Sequence, residues 1–86
     1  MPYIKQEDRN KFKDVLNLLE NNNFPKNAGE LNYFITKVLL TYYKNSYKNY
    51  QSFNDMIGAL EGAKLELYRR YVSPYEDIEI KENGDL

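Results

Sequence analysis

Apolar residues follow a helical period near the start of the chain. They sit at positions i, i+3, i+4 and i+7, on one face of an α-helix, and are Phe12, Val15, Leu16 and Leu19. Glu7 and Asp8 stand where a first helical turn favours negative charge. We therefore predict a first helix over residues 6–21. The asparagine run and Pro25 in "ENNNFPKN" predict the turn that ends it.

The second helical pattern carries two apolar stripes. Asn27 is a good N-cap and Glu30 follows three residues later, as in a capping box, so we predict a helix over residues 28–48. The main stripe consists of Leu31, Phe34, Ile35, Val38 and Tyr42. A second stripe at the same spacing consists of Leu40, Tyr43, Tyr47 and Tyr50. Two stripes mean either that this helix lies between two others or that one stripe contacts another chain.

The third helix has the clearest predicted start. Ser52 as N-cap and Asp55 three residues later fit the acidic version of the capping box. The apolar face that follows includes Phe53, Ile57, Leu60, Leu67 and Tyr71. Pro74 disfavours a helical conformation in the residue before it, so we predict that this helix covers residues 53–72 and stops there.

The last fourteen residues, 73–86, change character. Ile78 and Ile80 alternate with charged residues, which is the two-residue period of an extended strand, and Asn83-Gly84 is a turn signal. The predicted fold is a single all-α domain over residues 1–86. It has three helices, a helical hairpin plus an N-terminal helix, with a short extended acidic tail.

Composition excludes several classes of function. The chain contains no Cys and no His, so it offers no Cys/His zinc site, no thiol nucleophile and no Ser-His-Asp triad. The acidic tail residues lack the spacing of a calcium loop, so we expect no metal, no cofactor and no enzymatic activity. No apolar run approaches the length of a membrane span, and the charged N-terminus does not resemble a signal peptide. We expect a cytoplasmic protein.

The net charge of −1 hides an asymmetry. Residues 1–72 hold 11 Lys/Arg against 8 Asp/Glu, whereas residues 73–86 hold one Lys against five acids. A duplex-binding domain usually presents a strong excess of basic residues. Here the basic excess is mild, and the acidic residues at the end of the chain offset it. Nucleic acid is therefore not an expected partner.

Two local patterns invite either a packing or a binding interpretation. Gly58 and Gly62 have the spacing that lets helices approach closely, and we predict a tight helix crossing there. The second is "ELYRRY", in which Tyr68, Arg69, Arg70 and Tyr71 form a candidate anion or nucleotide site. The alternative is that Glu66 pairs with Arg70 at i,i+4 and that the arginines hold the acidic tail. We favour this alternative.

Tyrosine is unusually abundant, with nine copies in 86 residues. Its ring supplies a large contact area and its hydroxyl stays hydrated, which suits an interaction surface. The candidate contact residues are Tyr43, Tyr47, Tyr50, Tyr68, Arg69, Arg70 and Tyr71.

The segments "PYIKQEDR", "GELNYFITKVLLTYY" and "GALEGAKLELYRRYVSPYEDIEIKENGDL" resemble a family of small uncharacterised proteins from phages, prophages and bacterial genomes. The resemblance covers nearly the whole chain. It departs from the usual pattern at Ile78, where a lysine is common. It implies a phage or mobile-element setting and carries over no catalytic residues.

Three hypotheses for function follow. The first is a non-enzymatic phage-type accessory protein that binds a host protein stoichiometrically, for example to inhibit a defence protein. The second is a binder that sequesters a phosphate-bearing signalling nucleotide, with the arginines on phosphate and Tyr68 or Tyr71 on the base. The third is a structural or assembly module. The expected partner is a host protein or a second copy of the chain in a homo-oligomer.

Overall fold

The computed structural model describes residues 3–22 and 24–86. Met1, Pro2 and Asn23, the last of them in the predicted asparagine turn, lie outside the described residues. The all-α class is confirmed, and the described residues form three continuous helical stretches and no strand. Two compact units make up the chain, the first ending at Tyr42 and the second beginning at Tyr43. The single-domain organisation stays a prediction.

The first helical stretch combines two helix types. A 3₁₀ segment, Gln6–Phe12, leads directly into helix α1, Lys13–Asn21. Glu7 and Asp8 lie in the first turn of the 3₁₀ segment, where their negative charge stabilises unpaired backbone N–H groups. The stretch covers the range that the apolar period predicts.

Helix α2, Ala28–Lys44, starts where the sequence predicts. The N–H of Glu30 donates to the side-chain oxygen of Asn27 at 2.8 Å, as in a capping box. In return the Glu30 carboxylate accepts from the N–H of Lys26 at 2.9 Å, one residue earlier than the usual box partner. The helix ends at Lys44, four residues before the predicted end at residue 48.

Helix α3, Tyr50–Leu67, begins three residues earlier than predicted, and its N-cap is Asn49 rather than Ser52. Two overlapping capping patterns compete here. The pair Asn49 and Ser52 forms the capping box, whereas the Asp55 carboxylate accepts a hydrogen bond at 2.8 Å from the side-chain amide of Gln51. The predicted cap at Ser52 is therefore wrong.

The predicted stop before Pro74 is also wrong. α3 continues through a π-helical segment, Tyr68–Val72, into helix α4, Ser73–Asn83. The N–H of Ser73 donates to the carbonyl of Tyr68, five residues back, which is the wider hydrogen-bond pattern of a π turn. Pro74 then stands near the start of α4 but inside the continuous helical stretch, where it has no N–H to donate and removes one backbone hydrogen bond.

The predicted extended tail is wrong as well, because residues 73–83 are helical. The alternation of Ile78 and Ile80 is too short to separate a strand from a helix, and the preceding helix extends through it. α4 ends at Asn83 and is capped by Gly84, which has φ of 87° and whose N–H donates to the carbonyl of Ile80 at 2.8 Å. This left-handed conformation favours glycine.

Burial within the chain is slight. Over residues 3–22 and 24–86 the structure buries no apolar side chain, and Ser52, 5% exposed, is the one buried residue. A Cβ added at Gly58 would meet nothing within 4 Å. The tight helix crossing at Gly58 and Gly62 stays a prediction. None of its helices is both long and apolar enough to cross a membrane.

Candidate protein-binding site

The connection between α2 and α3, residues 45–49, is held by short hydrogen bonds. The Ser46 hydroxyl donates to the carbonyl of Tyr43 at 2.7 Å and accepts from the N–H of Lys48 at 3.2 Å. The N–H of Ser46 donates to the same Tyr43 carbonyl at 3.1 Å. Ser46 thus provides hydrogen-bond donors for a carbonyl at the end of α2 and an acceptor for the N–H of Lys48 in the turn that follows.

The second half of the turn is fixed by the capping box of α3. The Asn49 side-chain oxygen accepts from the N–H of Ser52 at 3.0 Å and from its hydroxyl at 3.1 Å. The Asn49 N–H donates back to the Ser52 hydroxyl at 3.4 Å. Lys48 joins the two halves with φ of 57°, a left-handed conformation that costs a non-glycine residue free energy. Such a backbone conformation persists only where the surrounding hydrogen bonds and packing offset its cost.

Tyr43, a predicted contact residue, supports the turn through its side-chain contacts. Its ring stacks on the ring of Phe53, with centroids 4.8 Å apart and planes at 17°. Its hydroxyl donates to the carbonyl of Lys48 at 3.4 Å. An aromatic pair of this kind stabilises by about 1 kcal/mol beyond the area it covers. Tyr43 therefore links the end of α2 to the start of α3.

Tyr47 and Tyr50 are presented outward. Tyr47 lies in the turn and is 95% exposed, and Tyr50, the first residue of α3, is 78% exposed. The sequence placed both on a stripe of α2, which is wrong because α2 ends at Lys44. We call residues 45–50 the tyrosine turn: a hydrogen-bonded backbone that presents two exposed aromatic side chains.

The arginines of "YRRY" are engaged within their own helix. Arg69 and Arg70 both donate to the same carboxylate oxygen of Glu66, Arg69 at 3.0 Å. The predicted Glu66–Arg70 pair is thus confirmed. The Arg70 guanidinium, followed by other groups that include Arg69, lowers the pKa of Glu66 from 4.5 to about 2. A phosphate at these arginines has to compete with a carboxylate that is ionised at neutral pH.

The tail meets this cluster at a tyrosine. The Tyr68 hydroxyl donates to the carboxylate of Glu76 at 2.9 Å across the π-helical segment. That hydrogen bond, together with the negative charge of Glu76, raises the pKa of Tyr68. Tyr71 is exposed. Of the four predicted residues in this cluster, three are held by acidic partners and one is presented to solvent.

Sequence reasoning missed several residues that build these features. Lys48 and Asn49 lie in the tyrosine turn, Ser52 completes the capping box, and Phe53 stacks on Tyr43, yet none was a candidate site residue. The pattern Asn-x-x-Ser at residues 49–52 is the one signal that could have revealed the true cap. A shallow depression of about 380 Å³ in the first unit was also missed. Its walls are formed by Phe24, Pro25, Gly29, Glu30, Tyr33 and Phe34.

Within the described part of the chain, no three acidic side chains come close enough together to hold a metal ion. A family model described as Domain of unknown function (DUF6899) matches residues 1–86. No curated protein matches the chain, and no solved structure matches it.

Proposed function

The chain belongs to the DUF6899 family, and we propose that it is a non-enzymatic protein that acts by stoichiometric binding to another protein through the tyrosine turn. The observation that carries the proposal is the exposure of Tyr47 and Tyr50 on a backbone fixed by the Asn49–Ser52 box. The resemblance to phage and prophage proteins supplies the setting. The proposed partner is a host protein, most simply a defence protein that this chain inhibits in the bacterial cytoplasm.

Tyrosine suits this role for physical reasons. Its side chain buries a large area while losing the freedom of only two torsions, and tyrosine is enriched among the residues that dominate binding energy. A preorganised turn also avoids the entropy cost of ordering a loop on binding. Because Ser46, Asn49 and Ser52 already hold the turn, the backbone that carries both tyrosines is ordered before a partner binds.

The nucleotide hypothesis has weaker support from the contacts. Arg69 and Arg70 already share the Glu66 carboxylate, and the Tyr68 hydroxyl is held by Glu76. Tyr71 is exposed, and it is the one residue of that cluster for which these contacts show no acidic partner. A melting-temperature panel of cyclic and linear nucleotides tests this hypothesis directly. A shift that Arg69→Ala removes would favour it over protein binding.

The decisive experiment on the tyrosine turn is site-specific photocrosslinking in a bacterial host. A benzophenone amino acid replaces Tyr47, and a matched sample carries it at Tyr33, an exposed tyrosine on α2. We expect one dominant adduct from position 47 and none of that mass from position 33. Purified chain and the identified partner should then form a complex of fixed stoichiometry, which the double variant Tyr47→Ala/Tyr50→Ala loses while Tyr33→Ala retains it.

Circular dichroism of the double variant distinguishes contact from folding. Both side chains are exposed, so the variant should keep the helical spectrum of the wild type. Retention of full affinity by the folded double variant would contradict the proposal. A purified partner also allows the inhibition hypothesis to be measured, as loss of that partner's activity at one equivalent of this chain.

A further inference from the structure

The π-helical segment between α3 and α4 changes which residues share a face of the helix. The N–H of Ser73 donates to the carbonyl of Tyr68, five residues back, where a regular α-helix would use the carbonyl of Arg69. A π turn of this kind accommodates one extra residue between two α-helical parts. Compared with its place in a continuous α-helix, α4 is therefore turned by about 100° around the helix axis.

The contact between Tyr68 and Glu76 depends on this extra residue. The Tyr68 hydroxyl donates to the Glu76 carboxylate at 2.9 Å although the two residues are eight positions apart. In a regular α-helix such positions lie about 80° apart around the axis. With one residue taken up by the π turn the difference falls to about 20°, so both side chains share one face. The hydrogen bond, and after it the negative charge of Glu76, raises the pKa of Tyr68, which makes this pKa a measure of the register in solution.

Pro74 disfavours the regular register. In a continuous α-helix its ring would clash with the carbonyl of Arg70, four residues back, and it has no N–H to donate to that carbonyl. The π turn avoids the clash, but the Ser73 N–H is then committed to Tyr68 and no longer reaches its α-helical acceptor on Arg69. Because each register has a cost of this kind, a side-chain contact can decide between them.

The two registers present different faces of α4. In a regular α-helix Ile78 lies within about 20° of Leu67 around the axis, so one apolar line runs from α3 into α4. In the π register Ile78 is turned away by about 100°, and Glu79 takes its place on that line. The register therefore decides whether the line that leaves α3 continues with an apolar or with a charged residue.

We propose that residues 68–76 form a two-position element that sets the rotation of α4 relative to α3. The first position is the π register of this structure, held by the hydrogen bond between Tyr68 and Glu76. The second is an α register, in which the backbone hydrogen bonds return to regular spacing, the side-chain contact is lost and Ile78 joins the apolar line. A partner that binds the continuous apolar line selects the second position. The element is independent of the tyrosine turn.

Scalar couplings across hydrogen bonds read the register directly by NMR of isotope-labelled protein. In the wild type the ¹⁵N nucleus of Ser73 should couple to the carbonyl ¹³C of Tyr68, whereas the α register couples it to Arg69. Tyr68→Phe removes the hydroxyl and should raise the ratio of α to π register by about tenfold or more, measured by relaxation dispersion of the backbone amides. Tyr71→Phe removes the same group from an exposed tyrosine of the same segment and should leave the wild-type coupling. A Tyr68→Phe chain that stays in the π register without detectable exchange would overturn the proposal and leave the π turn as a fixed kink.

Changes at the acceptor and at the proline complete the test. Glu76→Gln keeps a side-chain oxygen that accepts the hydrogen bond and should retain the π register, whereas Glu76→Ala should act like Tyr68→Phe. Pro74→Ala removes the ring that opposes the α register, so the Ser73 coupling should move to Arg69. The pKa of Tyr68 should then fall to its ordinary value of about 10, measured from its ring ¹³C shift in a pH titration. A Pro74→Ala chain that keeps the Tyr68 coupling and the raised pKa would contradict the second position.

Discussion

The capping box of α3 gives the sharpest test of the tyrosine turn. Asn49→Ala removes the side-chain oxygen that accepts from the N–H of Ser52 at 3.0 Å and from its hydroxyl at 3.1 Å. Loss of an N-cap asparagine costs about 1 kcal/mol. Ser52 is 5% exposed, so its hydroxyl loses its acceptor where water has little access, which costs about 1 kcal/mol more. We expect a total loss of about 2 kcal/mol.

The measurement is thermal unfolding followed by circular dichroism, with all variants at one protein concentration. For a chain of this size a loss of about 2 kcal/mol lowers the melting temperature by roughly 8–16 °C. Asn49→Asp keeps the acceptor and should melt within a few degrees of the wild type. Asn54→Ala, an exposed asparagine inside the same helix, should be neutral or slightly stabilising because alanine has the higher helix propensity.

A double-mutant cycle separates the box from general helix effects. Ser52→Ala should cost less in the Asn49→Ala background than in the wild type, because its partner is already gone. Additive costs would refute the coupling of these two side chains. A loss below about 0.5 kcal/mol for Asn49→Ala alone would refute the assignment of Asn49 as the cap.

Four further changes follow from local geometry. Lys48→Gly should stabilise the fold by about 1 kcal/mol in urea unfolding, because glycine adopts a φ of 57° without strain. Gly58→Ala should stabilise α3 by about 1 kcal/mol in the same assay, since the added Cβ meets nothing within 4 Å. The Arg70 guanidinium is the main cause that lowers the pKa of Glu66 from 4.5 to about 2. The ion pair therefore stabilises the fold fully above pH 4.5, and this stabilisation is lost as the pH falls towards 2. Glu66→Gln should flatten that part of the pH–stability curve. Pro74→Ala should raise helix stability by up to about 3 kcal/mol and convert the π turn to a regular α turn, visible as a new protected amide at residue 74 in hydrogen exchange.

The helical period was the reliable part of the sequence signal. Apolar spacing predicted all three helical stretches, and the Asn27–Glu30 pattern located the start of α2. The start of α3 was missed because Asn49-x-x-Ser52 and Ser52-x-x-Asp55 are both plausible boxes. Residue types alone do not decide which side chain reaches the backbone. The decision depends on the turn that precedes the helix and on the left-handed Lys48.

The C-terminal segment shows where local rules fail. Pro74 predicts a helix end on average, yet a π turn moves the carbonyls so that the helix continues around it. Ile78 and Ile80 indicate a strand only if the backbone is extended, and nothing in so short a run fixes that. The sequence identified "YRRY" as unusual without revealing that it is π-helical. This rare geometry needs the wider hydrogen-bond pattern, which residue types do not encode.

The candidate contact residues differ in their surroundings, and these depend on their neighbours in the structure. Tyr43, Tyr47 and Tyr50 shared one predicted stripe, but a helix end between them turns Tyr43 towards Phe53 and leaves the other two exposed. Arg69 and Arg70 had two predicted roles, and their pairing with Glu66 follows from i,i+3 and i,i+4 spacing alone. Contacts between close neighbours in one helix were therefore predictable, whereas those across a turn were not.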